Sequence, residues 1–382
     1  MIVPMRVALY SPWVHVLGGI ERTLLEILRR SRHDVTLYTH WYDSERTYPE
    51  FRTFRVVELQ PKVSVERSVT PLAGAAKTIS RTVLPDADVL LVSSNDLGDL
   101  ILMRNRIPAV CYCWTPLKIL HDPATNAGLR KRDPLKARLL SVLGPALDAV
   151  DRRMWRRYRH AFVASDEVRR RVERARLEPN GPLEVLRAGV DLDWFTDDGR
   201  TKQDYFLVAG RIKWWKNIEL AIAGVAEARA RGTDAELVIA GAVDPFGDDY
   251  LDSLRSRARG LPVRFEIGVD QERLRELYRS CRALLFPTPN EDFGMVPLEA
   301  MACGSPVIAV DNGGPRETVV PGTTGWLVPP TAEGFATAIT ESRTDGTAER
   351  MRRAARARAE EFSWERFVAR IDEVVSSLGP LA

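Results

Sequence analysis

Hydrophobic and polar positions repeat along this chain with two periods. Short apolar runs recur at Met5–Tyr10, Val35–Tyr38, Val89–Ser93, Ala109–Tyr112 and Phe162–Ala164 in the first half. Others stand at Tyr205–Val208, Glu236–Ala240, Val263–Ile267, Ala283–Pro287 and Val307–Val310 in the second. Their lengths and polar borders predict buried strands. Between them, stretches such as Glu21–Arg30, Ile218–Arg231 and Gln271–Ser280 place apolar residues every three or four positions, the period of an amphipathic helix. Strand–helix alternation of this kind predicts an α/β protein whose parallel sheets are covered on both faces. The pattern restarts after the polar run Asp197-Asp198-Gly199-Arg200-Thr201-Lys202. It therefore predicts two doubly wound, Rossmann-like domains, 1–196 and 197–363, facing each other across a cleft. A last helix within 364–382 is expected to cross back to the first domain. In such folds ligands gather at the carboxyl ends of the strands, so loops of both halves are candidates for one site.

Composition narrows this picture. The 382 residues are 45% hydrophobic and 28% charged, ordinary for a soluble enzyme of two domains. No apolar run approaches the ~18 residues of a membrane span, and Met5–Tyr10 reads as a first strand rather than a signal peptide. Four cysteines, Cys111, Cys113, Cys281 and Cys303, stand in apolar surroundings without zinc spacing and read as free buried thiols in a reducing, cytoplasmic setting. The net charge of +3 hides an asymmetry: Leu129 to Arg176 holds fifteen Lys and Arg against six Asp and Glu. Within it Leu135, Leu139, Leu143, Leu147 and Val150 recur at helical spacing, among Arg130, Lys131, Arg132, Lys136 and Arg138. Three readings stand: a core-packed helix with a solvated cationic face, peripheral contact of 129–176 with anionic membrane at its inner face, or a site for an anionic acceptor. Nucleic acid is not expected, because no aromatic interleaving or known binding motif accompanies the charge.

The chemistry concentrates in Leu284–Pro306, LLFPTPNEDFGMVPLEAMACGSP. An apolar strand runs into a polar turn with Glu291 and Asp292, Gly294 permits a tight backbone, and Pro297 suits the first turn of a helix. A helix start at the end of a parallel strand offers free N–H groups to an anion such as a diphosphate. Glu299, placed in that first turn, can accept hydrogen bonds from a ribose diol, or it merely complements the helix dipole. Glu291 lies in the loop, at a site or as a solvated turn residue. Earlier, the strand Phe206–Ala209 leads into Gly210-Arg211, with Lys216 five residues on. Two fixed cations there can neutralise a departing diphosphate, or simply flank a helix start. Gly18-Gly19, between the first strand and first helix, lets backbone amides approach phosphate or sugar.

Two glutamates with seven residues between them in E-D-F-G-M-V-P-L-E-A-M-A-C-G-S-P-V-I-A resemble the signature of glycosyltransferase family 4, retaining enzymes of the GT-B fold. Arg211 with Lys216, the Gly18-Gly19 loop, and Val185–Phe195 near the domain connection are similar to the family as well. The resemblance implies an acceptor-binding domain, 1–196, and a nucleotide-sugar-binding domain, 197–363. It implies Glu291 at the transferred sugar, Glu299 on the ribose, and Phe293, Gly294, Met295 and Val296 along sugar and phosphates. Arg211 and Lys216 would grip the donor phosphates, and Gly18 and Gly19 border the reaction centre. Many members carry a histidine where this chain has Trp114, in Tyr112-Cys113-Trp114-Thr115-Pro116. His121 is then a catalytic candidate, beside Glu291, Arg211 and Lys216, while His15 and Trp114 are acceptor-side candidates. The expected activity is metal-independent transfer of a hexosyl group to a glycan, lipid-linked or small-molecule acceptor. The motif variant resembles bacterial mannosyltransferases and favours GDP-mannose over UDP-sugars. The donor is a substrate, and no cofactor is implied. A nucleotide-sugar-binding protein without turnover is the alternative. A nucleotide-cofactor oxidoreductase lacks the G-x-G-x-x-G that would support it.

Overall fold

The computed structural model describes residues 4–64, 69–122, 126, 134–243, 248–344 and 346–379. The chain divides into two units, Met1–Ala188 with Trp364–Ala382, and Gly189–Ser363. In the first, β1 (Arg6–Tyr10), β2 (Asp34–Thr39), β3 (Val56–Glu58), β4 (Val89–Ser94), β5 (Ala109–Cys113), β6 (Tyr158–Val163) and β7 (Leu183–Val185) form one sheet in the order β3-β2-β1-β4-β5-β6-β7. Every pairing is parallel. Its helices are α1 (Gly19–Arg30), α2 (Val69–Arg81), α3 (Lys118–His121), α4 (Pro134–Trp155) and α5 (Asp166–Arg174). The central strands β4 and β5 are buried at every residue, as continuous apolar runs in a doubly covered sheet should be.

The second unit repeats the plan. Its strands β8 (Tyr205–Ala209), β9 (Glu236–Gly241), β10 (Val263–Ile267), β11 (Ala283–Phe286), β12 (Val307–Val310) and β13 (Gly325–Val328) run parallel in the order β10-β9-β8-β11-β12-β13. The helices are α6 (Ile218–Ala230), α7 (Asp248–Arg257), α8 (Gln271–Ser280), α9 (Met295–Ala302), α10 (Pro315–Thr318), α11 (Ala332–Glu341) and α12 (Thr347–Ala359). Phe206, Leu237, Ile239, Leu285 and Ile308 of the sheet pack with Ile222 and Val225 of α6 and Phe335 and Ile339 of α11. Gly224 makes this pairing of helices close, since a Cβ there would stand 2.5 Å from that of Phe335. In each sheet the winding reverses beside the first strand, between β1 and β4 and between β8 and β11. Those reversals leave crevices at the carboxyl ends of the strands.

The last helix, α13 (Trp364–Ser377), packs against α1 and belongs to the first unit. Arg30 pairs with Glu365, and Asp372 accepts hydrogen bonds from Ser31 Oγ at 2.7 Å and the Arg32 amide at 2.9 Å. Arg370 grips Glu184 of β7 through two bonds of 2.9 and 3.0 Å, and Phe367 stands edge-on to Tyr112 at 5.1 Å.

The division of the two units falls after Ala188, and the polar run at 197–202 is folded into the second unit. Its charges are tied into the second unit: Asp197 pairs with Arg352, Arg200 with Glu276, and Lys202 is half-buried. The Lys202 ammonium donates to the carbonyls of Arg279 (2.8 Å) and Cys303 (3.1 Å) and to Ser305 Oγ (2.8 Å). One cation thus sits at the carboxyl ends of both α8 and α9, where their dipoles favour it, although burial pushes its pKa down. On α4, Leu143 and Leu147 are 47% and 37% exposed and Val142 beside them is 71% exposed, which disfavours the core-packed one of the three readings. Arg130, Lys131 and Arg132 lie outside the described residues, as do the side chains of Leu135, Lys136 and Leu139.

Candidate active site

The crevice beside β8 and β11 is lined by Ala209, Gly210, Arg211 and Lys216 from one side and by Phe286, Pro287 and Thr288 from the other. Strand β8 leaves the sheet through Gly210, at φ +122. The turn runs so close to the end of β9 that a Cβ on Gly241 would lie 1.9 Å from the Gly210 carbonyl oxygen. A 3-10 turn over Trp214–Lys216 follows, and Asn217, in the left-handed region at φ 52, starts α6. Arg211 is exposed. Lys216 is not left to solvent: its Nζ pairs with Glu291 Oε2 at 2.7 Å, with the two side chains 24% and 21% exposed. The structure thus joins two of the sequence candidates, a cation and the loop carboxylate, in one ion pair.

The Glu291 loop is held by a segment the motif reading missed. Asn312-Gly313-Gly314, after β12, lies against its backbone. The Gly314 amide donates to the Glu291 carbonyl at 2.9 Å, and the Asn290 amide donates to Asn312 Oδ1 at 3.2 Å. A Cβ on Gly313 would be 2.5 Å from Glu291 O, and one on Gly314 would be 2.2 Å from Phe293 O. The Gly-Gly-Pro run at 313–315 was the available signal. Gly294, at φ +92, caps α9 and has no side chain of its own to bond the helix N–H groups.

Because α9 already starts at Met295, Glu299 is its fifth residue and no acidic residue lies in its first turn. The expected first-turn placement is corrected, and with it the idea that Glu299 merely complements the dipole, an effect that fades beyond that turn. Its Oε2 instead accepts a hydrogen bond from the hydroxyl of Tyr278, on α8, at 2.9 Å. Tyr278 was not singled out from the sequence. Phe293 is buried against Phe362, their rings 6.0 Å apart.

The remaining candidates lie in the first unit. Gly18 and Gly19 open α1, whose Glu21 carboxylate would be 2.6 Å from a Cβ on Gly18. His15 Nδ1 stands 4.0 Å from Glu21. Trp114 is 8% exposed, its indole N–H donating to Ser93 Oγ at 3.2 Å and its ring edge-on to Tyr112 at 5.0 Å. Stacking on a sugar would require that ring to be uncovered. His121 faces two aspartates of α4, with Nε2 2.9 Å from Asp151 and Nδ1 3.8 Å from Asp148. Among the described residues no cluster of three or more His, Cys, Asp or Glu could hold a metal ion.

Asp99, within electrostatic reach of Asp151, is a buried carboxyl. Ser94 Oγ donates to it at 2.9 Å and Tyr158 bonds it too. Burial, with the charge of Asp151 nearby, pushes its pKa up to about 7. The folded protein therefore keeps a proton that the unfolded chain, titrating near 3.9, gives up. The stabilisation is complete below that value and is lost as the pH rises through about 7. The limiting slope is about 1.4 kcal/mol per pH unit. Asp99→Asn is expected to flatten this segment of the stability curve. Urea midpoints at pH 5, 6, 7 and 8 measure it, and parallel curves for wild type and variant would contradict the assignment.

Two family profiles tile the chain: "Glycosyltransferase Family 4" matches residues 17–194 and "Glycosyl transferases group 1" matches residues 193–362. The chain belongs to glycosyltransferase family 4. Among curated relatives of this family 4 chain are the alpha-1,3/1,6-mannosyltransferase ALG2 of Dictyostelium discoideum and the D-inositol 3-phosphate glycosyltransferase of Geodermatophilus obscurus. The first is 36% identical over 35% of this chain and 36% of its own length. The second is 35% identical over 53% of this chain and 49% of its own. The matched part thus spans about half of these relatives or less. Two solved structures share the fold over 98% of this chain. HepE of Anabaena, in complex with UDP and glucose, has TM-score 0.71 at 18% identity and is covered over 100% of its chain. Sucrose-phosphate synthase of Thermosynechococcus elongatus has TM-score 0.73 at 22% identity and is covered over 98%. The family 4 chain therefore has the GT-B fold, built of two parallel-sheet α/β units.

Proposed function

We propose that this family 4 chain transfers a hexosyl group from a nucleoside-diphosphate sugar to an acceptor hydroxyl, with retention and without metal. The observation that carries the reading is the Lys216–Glu291 pair at the β8/β11 crevice, with Arg211 beside it. Arg211, Lys216 and the N-terminal end of α9 supply positive potential for the leaving diphosphate. Glu291 orients the transferred sugar, and Glu299 holds the ribose. The acceptor attacks from the face that the diphosphate leaves, and a departing phosphate oxygen takes its proton. Names of relatives that include a mannosyltransferase support GDP-mannose as first choice, and UDP-sugars come next. The acceptor is a glycan, a glycolipid or a small molecule, with His15, Trp114 and His121 as candidate residues for it. Incubation with GDP-mannose, UDP-glucose and UDP-N-acetylglucosamine, each with EDTA, tests the reading. Transfer or slow donor hydrolysis that survives EDTA, with NMR showing the donor's anomeric configuration kept, is expected. Inverted product, or activity abolished by EDTA, overturns it.

Helix α4 supports a place for the reaction. Val142, Leu143 and Leu147 are exposed on it, and Arg138 and Arg153 are exposed on the same helix. Apolar insertion with basic headgroup contacts fits peripheral attachment to an anionic bilayer at its cytoplasmic face. Co-sedimentation with phosphatidylglycerol vesicles but not phosphatidylcholine vesicles is expected, and no sedimentation with either removes this part of the proposal. No helix among the described residues is long and apolar enough to cross a membrane.

A further inference from the structure

We infer that Tyr278 is a positioning residue that fixes the Glu299 carboxylate for a ribose diol. The inference rests on the reading of Glu299 as the ribose ligand and deepens it. Tyr278 is completely buried on α8, at 0% exposure, with its ring edge-on to Phe195 at 5.9 Å. Its hydroxyl donates to Glu299 Oε2 at 2.9 Å. Its backbone carbonyl, at the other end of the residue, accepts from Ser305 Oγ at 2.6 Å. One residue thus grips both flanks of α9, at Glu299 within it and at Ser305 just beyond it.

The grip is braced from behind. Lys202 Nζ donates to Ser305 Oγ at 2.8 Å and to the carbonyl next to Tyr278, that of Arg279, at 2.8 Å. A carboxylate on a lone helix can rotate among several staggered arrangements. Here one oxygen is tied to a side chain that cannot move without displacing α8. Burial also pushes the Tyr278 phenol well above its usual pKa, so the hydroxyl keeps its proton and remains a donor across the working pH range. A preset carboxylate avoids the ordering cost that a ribose diol would otherwise have to offset on binding. The arrangement acts on the nucleoside, one step away from the bond being broken, so its signature is in nucleotide affinity rather than in the chemical step.

Tyr278→Phe keeps the ring and its contact with Phe195 and removes only the hydroxyl. Titration calorimetry with UDP and GDP, read on whichever the wild type binds tighter, is expected to show about tenfold weaker binding, the worth of one hydrogen bond to a charged group. Inorganic pyrophosphate binds unchanged. The preference for the nucleotide over its 2′,3′-dideoxy analogue shrinks, and adding Tyr278→Phe to Glu299→Gln weakens binding no further. Equal loss for pyrophosphate and nucleotide would make the tyrosine a general structural support and overturn the inference. Nucleotide affinity kept in Tyr278→Phe but lost in Glu299→Gln overturns the inference alone. Affinity undiminished in Glu299→Gln sinks the ribose reading beneath it.

Discussion

Glu291→Gln is expected to slow transfer by about 10²-fold or more while tightening the hold on free nucleoside diphosphate. The two effects have opposite signs because Glu291 stands in two relations. Toward a sugar it is an oriented carboxylate. Toward Lys216 it is a partner at 2.7 Å, and any diphosphate that takes the ammonium must displace it. Glutamine keeps the shape but gives up the charge. It releases Lys216 and removes the repulsion between a carboxylate and an incoming dianion. The pair is part-exposed, so the gain is modest, about 1 kcal/mol or about fivefold in affinity. Lys216→Ala should move both quantities the same way, weakening diphosphate binding and slowing transfer by about 10²-fold. The measurements are kcat with the best donor and the Kd of UDP and GDP for each variant. If Glu291→Gln loses nucleotide affinity as Lys216→Ala does, the ion pair is not a competitor of the diphosphate and the two residues act only as joint ligands.

That contrast lies beyond the reach of the motif, and the reason shows what the sequence carried. Strands β10 and β12 were legible to the residue, because Val263–Ile267 alternates apolar and charged residues, Val307–Val310 is an apolar run, and both are bordered by proline, glycine or charge. The edge strands β3, β7 and β13 were not. They are three or four residues long and partly exposed, so no period can establish itself. Helix α4 shows the opposite failure: a clear helical period of leucines is present, but Leu143 and Leu147 of that stripe face solvent. Periodicity reports that a face exists and is silent on what covers it. At the site, Glu291 and Glu299 could be named because they share one contiguous segment with a recognisable pattern. Tyr278 and the Gly313-Gly314 pair could not, since each reaches the site through the crossover topology. Tyr278 comes from the helix before β11 and the glycines from the loop after β12. Contacts between successive βα units are set by three-dimensional packing, and no local spacing announces them.

The glycine pair leads to the second large effect. Gly314→Ala is expected to lower kcat by about 10²-fold in a protein that still folds. Gly314 has φ −57 and ψ −34, a conformation alanine adopts readily, so no backbone strain is introduced there. What alanine adds is a methyl group 2.2 Å from the Phe293 carbonyl oxygen and 2.4 Å from its Cα. Both atoms are backbone and cannot swing aside as a side-chain tip would. The loop 291–293 must retreat by about 1 Å, and a misplacement of that size in a reacting geometry costs about 10²-fold. Glu291 moves with it, and its pair with Lys216 is broken or lengthened. Arg211 and Lys216 are carried by the turn after β8 and Glu299 by α9, so UDP and GDP affinity should change far less than kcat. Gly74→Ala is the matched control, because nothing lies within 4 Å of a Cβ there and alanine is the better helix residue. Steady-state kinetics and thermal unfolding of both variants decide the matter. A Gly314→Ala protein with wild-type kcat would mean that the loop yields without moving Glu291, and the glycine pair would then be a packing feature with no bearing on the sugar site.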